Sequence, residues 1–122
     1  MNLTVEHLPN GVALVTLSAE ASKNALSIKL MQSMSDIVDE LLENSSVKSI
    51  VMTGTGKFFC SGADIGEFAS AIDDGSISDL VGGLTSILHP MQLKIRASEK
   101  IFVVAINGSV AGGGLGIVLC AD

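Results

Sequence analysis

The sequence predicts an α/β fold built on a mostly parallel sheet, and three observations carry that expectation. Ile101 to Ile106 is a short, continuous run of apolar residues rich in β-branching, the pattern of a central strand covered on both faces. Asn107 and Gly108 end it, and Gly112, Gly113 and Gly114 open an apolar segment, Leu115 to Ala121, suited to start as a helix. Earlier in the chain a second glycine-punctuated loop, TGTGKFFCSGADIGEF, leaves another strand.

Taken in order, Leu3 to Leu8 and Val12 to Leu17 alternate apolar with polar or small residues, and Pro9, Asn10 and Gly11 between them are turn formers. This predicts a hairpin. Ser18 to Asn24 reads as a polar loop, and Ser27 as the N-cap of a helix whose apolar positions Leu30, Met31, Met34, Ile37, Val38, Leu41 and Leu42 recur at helical spacing. Asn44, Ser45 and Ser46 end that helix, and Val47 to Met52 is the next strand, closing at Gly54. Ala69 to Ser78 is acidic and small, which predicts a mobile surface segment. A second helix is then marked by Leu80, Val81, Leu84, Ile87, Leu88, Met91 and Ile95, and Pro90 is expected to kink or break it. No internal repeat and no linker composition appears, so residues 1–122 read as part of one domain.

Composition narrows the function classes. With 48% apolar and 16% charged residues the chain lies far from the disordered regime. A net charge of −6, no Lys/Arg cluster, four Phe and neither Tyr nor Trp argue against nucleic acid as the partner. No apolar run reaches membrane length and the N-terminus enters a strand pattern directly, so the expectation is a cytoplasmic protein without membrane contact. Cys60 and Cys120 fit no metal-ligand spacing and read as reduced, packed residues.

The two glycine loops suggest a chemistry. In α/β sheets ligands gather at the carboxyl ends of strands, and glycine lets backbone N–H groups and a helix N-terminus approach negative charge closely. One N–H from each loop, aimed at one oxygen, would stabilise an enolate or a tetrahedral oxyanion, each donor being worth about 3 kcal/mol. A dinucleotide site would need G-x-G-x-x-G after the first strand, and a P-loop would need Ser or Thr after Gly56-Lys57, where Phe58 stands.

The segments SKNALS, FFCSGADI and VAINGSVAGGGLGIVLCAD, in that order, resemble the enoyl-CoA hydratase/isomerase (crotonase) superfamily, and the likeness runs along the whole chain. The resemblance implies a ClpP/crotonase-type spiral of ββα units, of which these residues are the N-terminal part, about half of a core of about 250 residues. It implies an acyl-CoA substrate whose thioester carbonyl sits between the backbone N–H groups of Ala63 and Gly113. Lys23, Ala25, Ser61, Gly62, Asp64, Ile65 and Gly112 complete the implied substrate site. No metal is implied, and CoA belongs to the substrate, so no separate cofactor is expected. A full-length chain would be expected to form a homo-oligomer, a trimer or hexamer.

The departures bear on the reaction. Hydratases of the family place a catalytic Glu two residues after the GGG run, where this chain has Gly116, so the resemblance is nearer to isomerases whose acid/base residue lies downstream. The usual Arg-Pro before the KNAL loop is replaced by Ala19 and Glu20, and the basic residue that often follows ADI is Gly66. Two readings stand: an acyl-CoA enzyme of isomerase or hydratase type in fatty acid metabolism, or a non-catalytic fragment or partner-binding module. Individual residues also have plain structural roles open to them. The GGG run can be close helix packing, Asp64 a helix cap and Lys23 a solvated loop charge, while Glu67, the acid nearest the first loop, is a candidate to face the acyl chain. Ser61 as a nucleophile would need a base, and the two histidines, His7 and His89, lie far off in sequence.

Overall fold

The computed structural model describes residues 2–122. Strands β1 (Leu3–Leu8) and β2 (Val12–Leu17) form the antiparallel hairpin, reversing over Pro9–Gly11, where Asn10 and Gly11 take φ of 66° and 78°. Alternation does its expected work in β2: Ala13, Val15 and Leu17 are fully buried while the residues between them are not. Helix α1 (Ile28–Glu43) begins where the Ser27 hydroxyl accepts from the Leu30 N–H at 3.1 Å. Its stripe of Leu30, Met31, Met34, Val38 and Leu41 is buried, and each such side chain contributes about 1.5–3 kcal/mol, far more than differences in helix propensity. The Lys100 ammonium closes the other end by donating to the Leu41 and Asn44 carbonyls.

Strand β3 (Ser49–Gly54) lies parallel to β2, and β4 (Phe58–Cys60) follows after a short turn. Helices α2 (Ile65–Asp74) and α3 (Ile77–Ala97) lead to β5 (Ile101–Val104), β6 (Ser109–Val110) and α4 (Gly113–Leu119). Each turn of the chain is thus a strand pair followed by helix: β1–β2–α1, β3–β4–α2–α3, β5–β6–α4. The larger sheet has the order β1-β2-β3-β5, parallel from β2 onward, and β4 and β6 pair parallel in a second small sheet. Helices α1 and α3 pack together, and one continuous core joins Met31, Met34, Ile50, Met52, Phe59, Phe102 and Ile117.

Three expectations are corrected. Of residues 69–78, read as a mobile segment, 69–74 belong to α2 and 77–78 open α3: Asp64 caps the start of α2, and Gly75, at φ 79°, ends it with a Schellman turn in which the Ser76 N–H donates to the Ala71 carbonyl. Only Ala71 of α2 is fully buried, so local capping rather than an apolar stripe marks this helix. Of the kink or break expected at Pro90, the break does not occur: α3 runs through it to Ala97, with Pro90 and Ser86, whose carbonyl loses its N–H partner, both exposed residues. The strand at Ile101 is shorter than read: it stops at Val104, and among the described residues β3 is the strand it pairs with, Phe102 being buried but Ile101 53% and Val103 41% exposed. Asp122 takes the Phe102 backbone groups on the side away from β3, donating its N–H at 2.8 Å and accepting through its carboxylate at 2.8 Å.

Candidate functional site

Three segments meet where the strands end. The Lys23 carbonyl accepts from the Ser61 N–H at 3.1 Å, and the Leu26 N–H donates to the Gly62 carbonyl at 2.7 Å, so residues 23–26 run beside 61–63. On the other side, the Ala111 N–H donates to the Cys60 carbonyl at 3.1 Å. Gly62 holds φ of 95° and Gly112 φ of 56°, and a Cβ on Gly112 would stand 3.4 Å from the Gly62 Cα. The two glycine loops therefore touch each other. Gly114 has a separate reason to be glycine: its Cβ would lie 2.7 Å from the Cys60 Cβ and 2.8 Å from its Sγ.

This seam separates two hollows that share Ala63. One, of about 320 Å³, is lined by Lys23, Ala25, Phe58, Ser61, Asp64 and Ile65 among others. The second, of about 150 Å³, is almost wholly apolar and is lined by Leu26, Met31, Phe68, Leu84 and Leu88, with Gly113 on its wall. Ala63 and Gly113, named from sequence as the paired donors, thus face one cavity. Neither N–H donates to an acceptor among the described residues. Helix α4 has seven residues, so its dipole is small and the individual N–H groups carry what electrostatic effect there is.

Of the residues expected at a substrate site, Lys23, Ala25, Ser61, Ala63, Asp64 and Ile65 line the larger hollow. Gly62 and Gly112 line neither hollow. Lys23 sits at φ 58° with its ammonium 5.5 Å from the centre of the Phe58 ring, the distance of a cation–π contact. Asp64 takes the capping role, its carboxylate accepting from the Glu67 N–H at 3.0 Å. Glu67 lines neither hollow, and its Oε1 instead accepts from the Ile28 N–H at 3.1 Å, bracing the start of α1. Neither histidine shares the hollow with Ser61: His7 is on β1 and His89 on α3, both exposed. Among the described residues no group of His, Cys, Asp or Glu is placed to hold a metal. Burial raises the thiol pKa of both Cys60 and Cys120, opposed at Cys60 by a hydrogen bond from the Gly62 backbone.

From sequence the α3 side of the smaller cavity reads only as core. Val81, Leu84, Thr85 and Leu88 recur at i, i+3, i+4 and i+7 on α3, a spacing identical to that of a core stripe, and only the neighbouring loops turn it into a cavity wall. Lys57, weighed from sequence only for a P-loop, lines a shallow hollow with Lys23 and Phe58.

The enoyl-CoA hydratase/isomerase family model matches residues 7–122. The chain belongs to that family. An enoyl-CoA hydratase of Alternaria alternata is 34% identical over 117 residues, 92% of this chain and 35% of its own. A Bacillus subtilis relative named for the same family is 33% identical over 112 residues, 91% of this chain and 41% of its own. Among solved structures, an enoyl-CoA hydratase from Bacillus anthracis superposes with a TM-score of 0.88 at 28% identity, covering all of this chain and 46% of that one. A Pseudomonas aeruginosa protein does so at 0.88 and 30% identity, covering 99% and 50%. The fold is therefore the crotonase type. The chain spans about two fifths of the length of the curated relatives and about half that of the solved structures. Among the described residues no helix is long and apolar enough to cross a membrane.

Proposed function

We propose that this enoyl-CoA hydratase/isomerase family chain binds an acyl-CoA thioester across its two joined hollows. The CoA arm lies along Lys23, Phe58 and Asp64, the acyl group enters the apolar cavity, and the thioester oxygen accepts from the Ala63 and Gly113 N–H groups. The observation that supports this reading is that Ala63 and Gly113 line one cavity and that neither N–H donates to an acceptor among the described residues. Residues 1–122 would then be the N-terminal part of a single core domain, in a cytoplasmic enzyme of fatty acid metabolism that assembles as a trimer or hexamer. CoA enters with the substrate, and no further cofactor is invoked.

The reaction most consistent with Gly116 is double-bond isomerisation. A base removes a proton from the acyl chain, the electron pair moves onto the thioester oxygen as an enolate held by the two N–H groups, and the proton returns at a different carbon. The residues that line the apolar cavity include no ionisable side chain, so this chain's own contribution is to bind the thioester and stabilise the oxyanion. That same observation supports a second reading, binding without turnover. Calorimetric titration with butanoyl-CoA, paired with an enoyl-CoA isomerisation assay, tests both. Binding with turnover supports the enzyme, binding alone supports the second reading, and no binding removes the thioester site.

A further inference from the structure

We infer that Gln92 is a further polar residue of the thioester site, the one that decides whether α3 offers the acyl C2 atom a proton acceptor; the inference rests on the reading proposed above. Helices α3 and α4 face each other over two successive turns. A Cβ on Gly113 would lie 3.7 Å from the Leu88 Cδ2, and a Cβ on Gly116 would lie 2.8 Å from the Gln92 Nε2. Leu88 is part of the wall of the apolar cavity, and Gln92, four residues on, continues the same row of α3. Its carboxamide thus fills the space that glycine leaves open at position 116. Gln92 is half-buried, and among the described residues no hydrogen bond ties its amide down. Leu84 and Leu88, the two positions before it in that row, carry no polar group. With the thioester oxygen at the Gly113 N–H, the acyl C2 atom would lie against Leu88, and Gln92 stands one helical turn, about 5.4 Å, beyond. An amide there can donate or accept a hydrogen bond but cannot take up a proton, so this side of the site binds the thioester and leaves its C–H bonds intact. A carboxylate in the same place would act as a base.

Two measurements test this. The chain has two glutamines, Gln32 and Gln92, and the Gln32 amide is engaged with Asp36 on the exposed face of α1. In protein labelled isotopically at glutamine nitrogen, saturating butanoyl-CoA should shift the Gln92 side-chain amide resonance and leave that of Gln32 in place, while free CoA should shift neither. In heavy water, Gln92→Glu should exchange the C2 protons of butanoyl-CoA at least about a hundredfold faster than wild type. The new carboxylate takes the proton, the C–H electron pair moves onto the thioester oxygen, and a deuteron returns to C2. Leu93→Glu, at the neighbouring position on α3 and 70% exposed, should exchange no faster than wild type. Adding Gly116→Ala to Gln92→Glu, where the methyl competes with the carboxylate for one space, should cut exchange about tenfold or more. A Gln92 resonance unmoved by bound butanoyl-CoA, exchange by Gln92→Glu no faster than by Leu93→Glu, or exchange indifferent to Gly116→Ala overturns this inference while leaving the thioester site standing. Failure of wild type to bind butanoyl-CoA in calorimetry overturns both.

Discussion

Asn24 and Asn107, 83 positions apart in the sequence, donate their side-chain amides to the same acceptor, the Phe58 carbonyl, at 3.0 and 3.1 Å. Asn24 also donates to the Thr55 carbonyl and accepts from the Ala19 N–H, and Asn107 donates to the Gly56 carbonyl and accepts from the Gly54 N–H. Together they clamp the turn between β3 and β4 from two sides, which sets where Ser61 to Ala63 begin. Gly54 lies between them, where a Cβ would be 2.9 Å from either side chain.

Asn24 is fully buried, so Asn24→Asp replaces two donated bonds with a carboxylate facing two carbonyl oxygens. The expected loss is about 3 kcal/mol or more, read as a lower midpoint in urea denaturation. Asn107→Asp, in an exposed position, is expected to cost markedly less.

Gly114→Ala places a methyl group against the Cys60 side chain and its carbonyl oxygen, and backbone on both sides leaves little room to yield. A loss of about 1–3 kcal/mol is expected in thermal unfolding. The double variant Gly114→Ala with Cys60→Ala, which removes the sulfur from that contact, should recover part of the loss; a double variant no more stable than the single would place the strain at the Cys60 backbone instead.

Gly113→Pro deletes one proposed donor at a helix position that tolerates proline, whereas Gly113→Ala keeps the N–H and adds only a methyl near Leu26, 3.0 Å from its Cδ1. Proline should weaken butanoyl-CoA binding by about five- to tenfold more than alanine does, the worth of one hydrogen bond. Equal effects in titration would show that space, not the N–H, is what matters there.

Cys60 and Cys120 are free thiols whose pKa lies above the ordinary 9.0 because burial disfavours the thiolate. The folded chain therefore holds these protons to higher pH than the unfolded chain. Their contribution to stability is complete below about pH 9 and is lost as pH rises through the folded values. Iodoacetamide at pH 8 should label both slowly in the folded protein and rapidly in urea; rapid labelling of the folded protein would contradict the packing described.

Glu67→Ala removes the acceptor for the Ile28 N–H and should destabilise the start of α1 by about 1 kcal/mol, while Glu67→Gln, which keeps a carbonyl oxygen, should cost less. Hydrogen exchange at residues 28–31 is the direct readout.

Much of the local structure was legible in the chain itself. The hairpin bounds, the Ser27 cap, the α1 stripe and the glycine loops each follow from residues close in sequence, because turn preferences, capping and periodicity act over only a few positions. The KNAL, CSGAD and GGG segments pointed to the family for the same reason. What local pattern could not show was anything decided by a distant neighbour. The run from Ile101 has the composition of a central strand, yet its place in the sheet depends on which strands pair with it, and here β3 lies on one side and Asp122 on the other. Val81, Leu84 and Leu88 look like ordinary core, and become a cavity wall only because Leu26, Ala63 and Gly113 arrive opposite them. Glu67, close to the first loop in sequence, is turned away from it by an N–H that lies 39 residues earlier. The sequence by itself determined the hairpin, the first helix with its cap and the identity of the glycine loops, since those depend on backbone preferences and short-range hydrogen bonds. Only the tertiary structure decided which surfaces are covered, which glycines touch and which residues line a common cavity, because those depend on contacts between residues far apart in the chain.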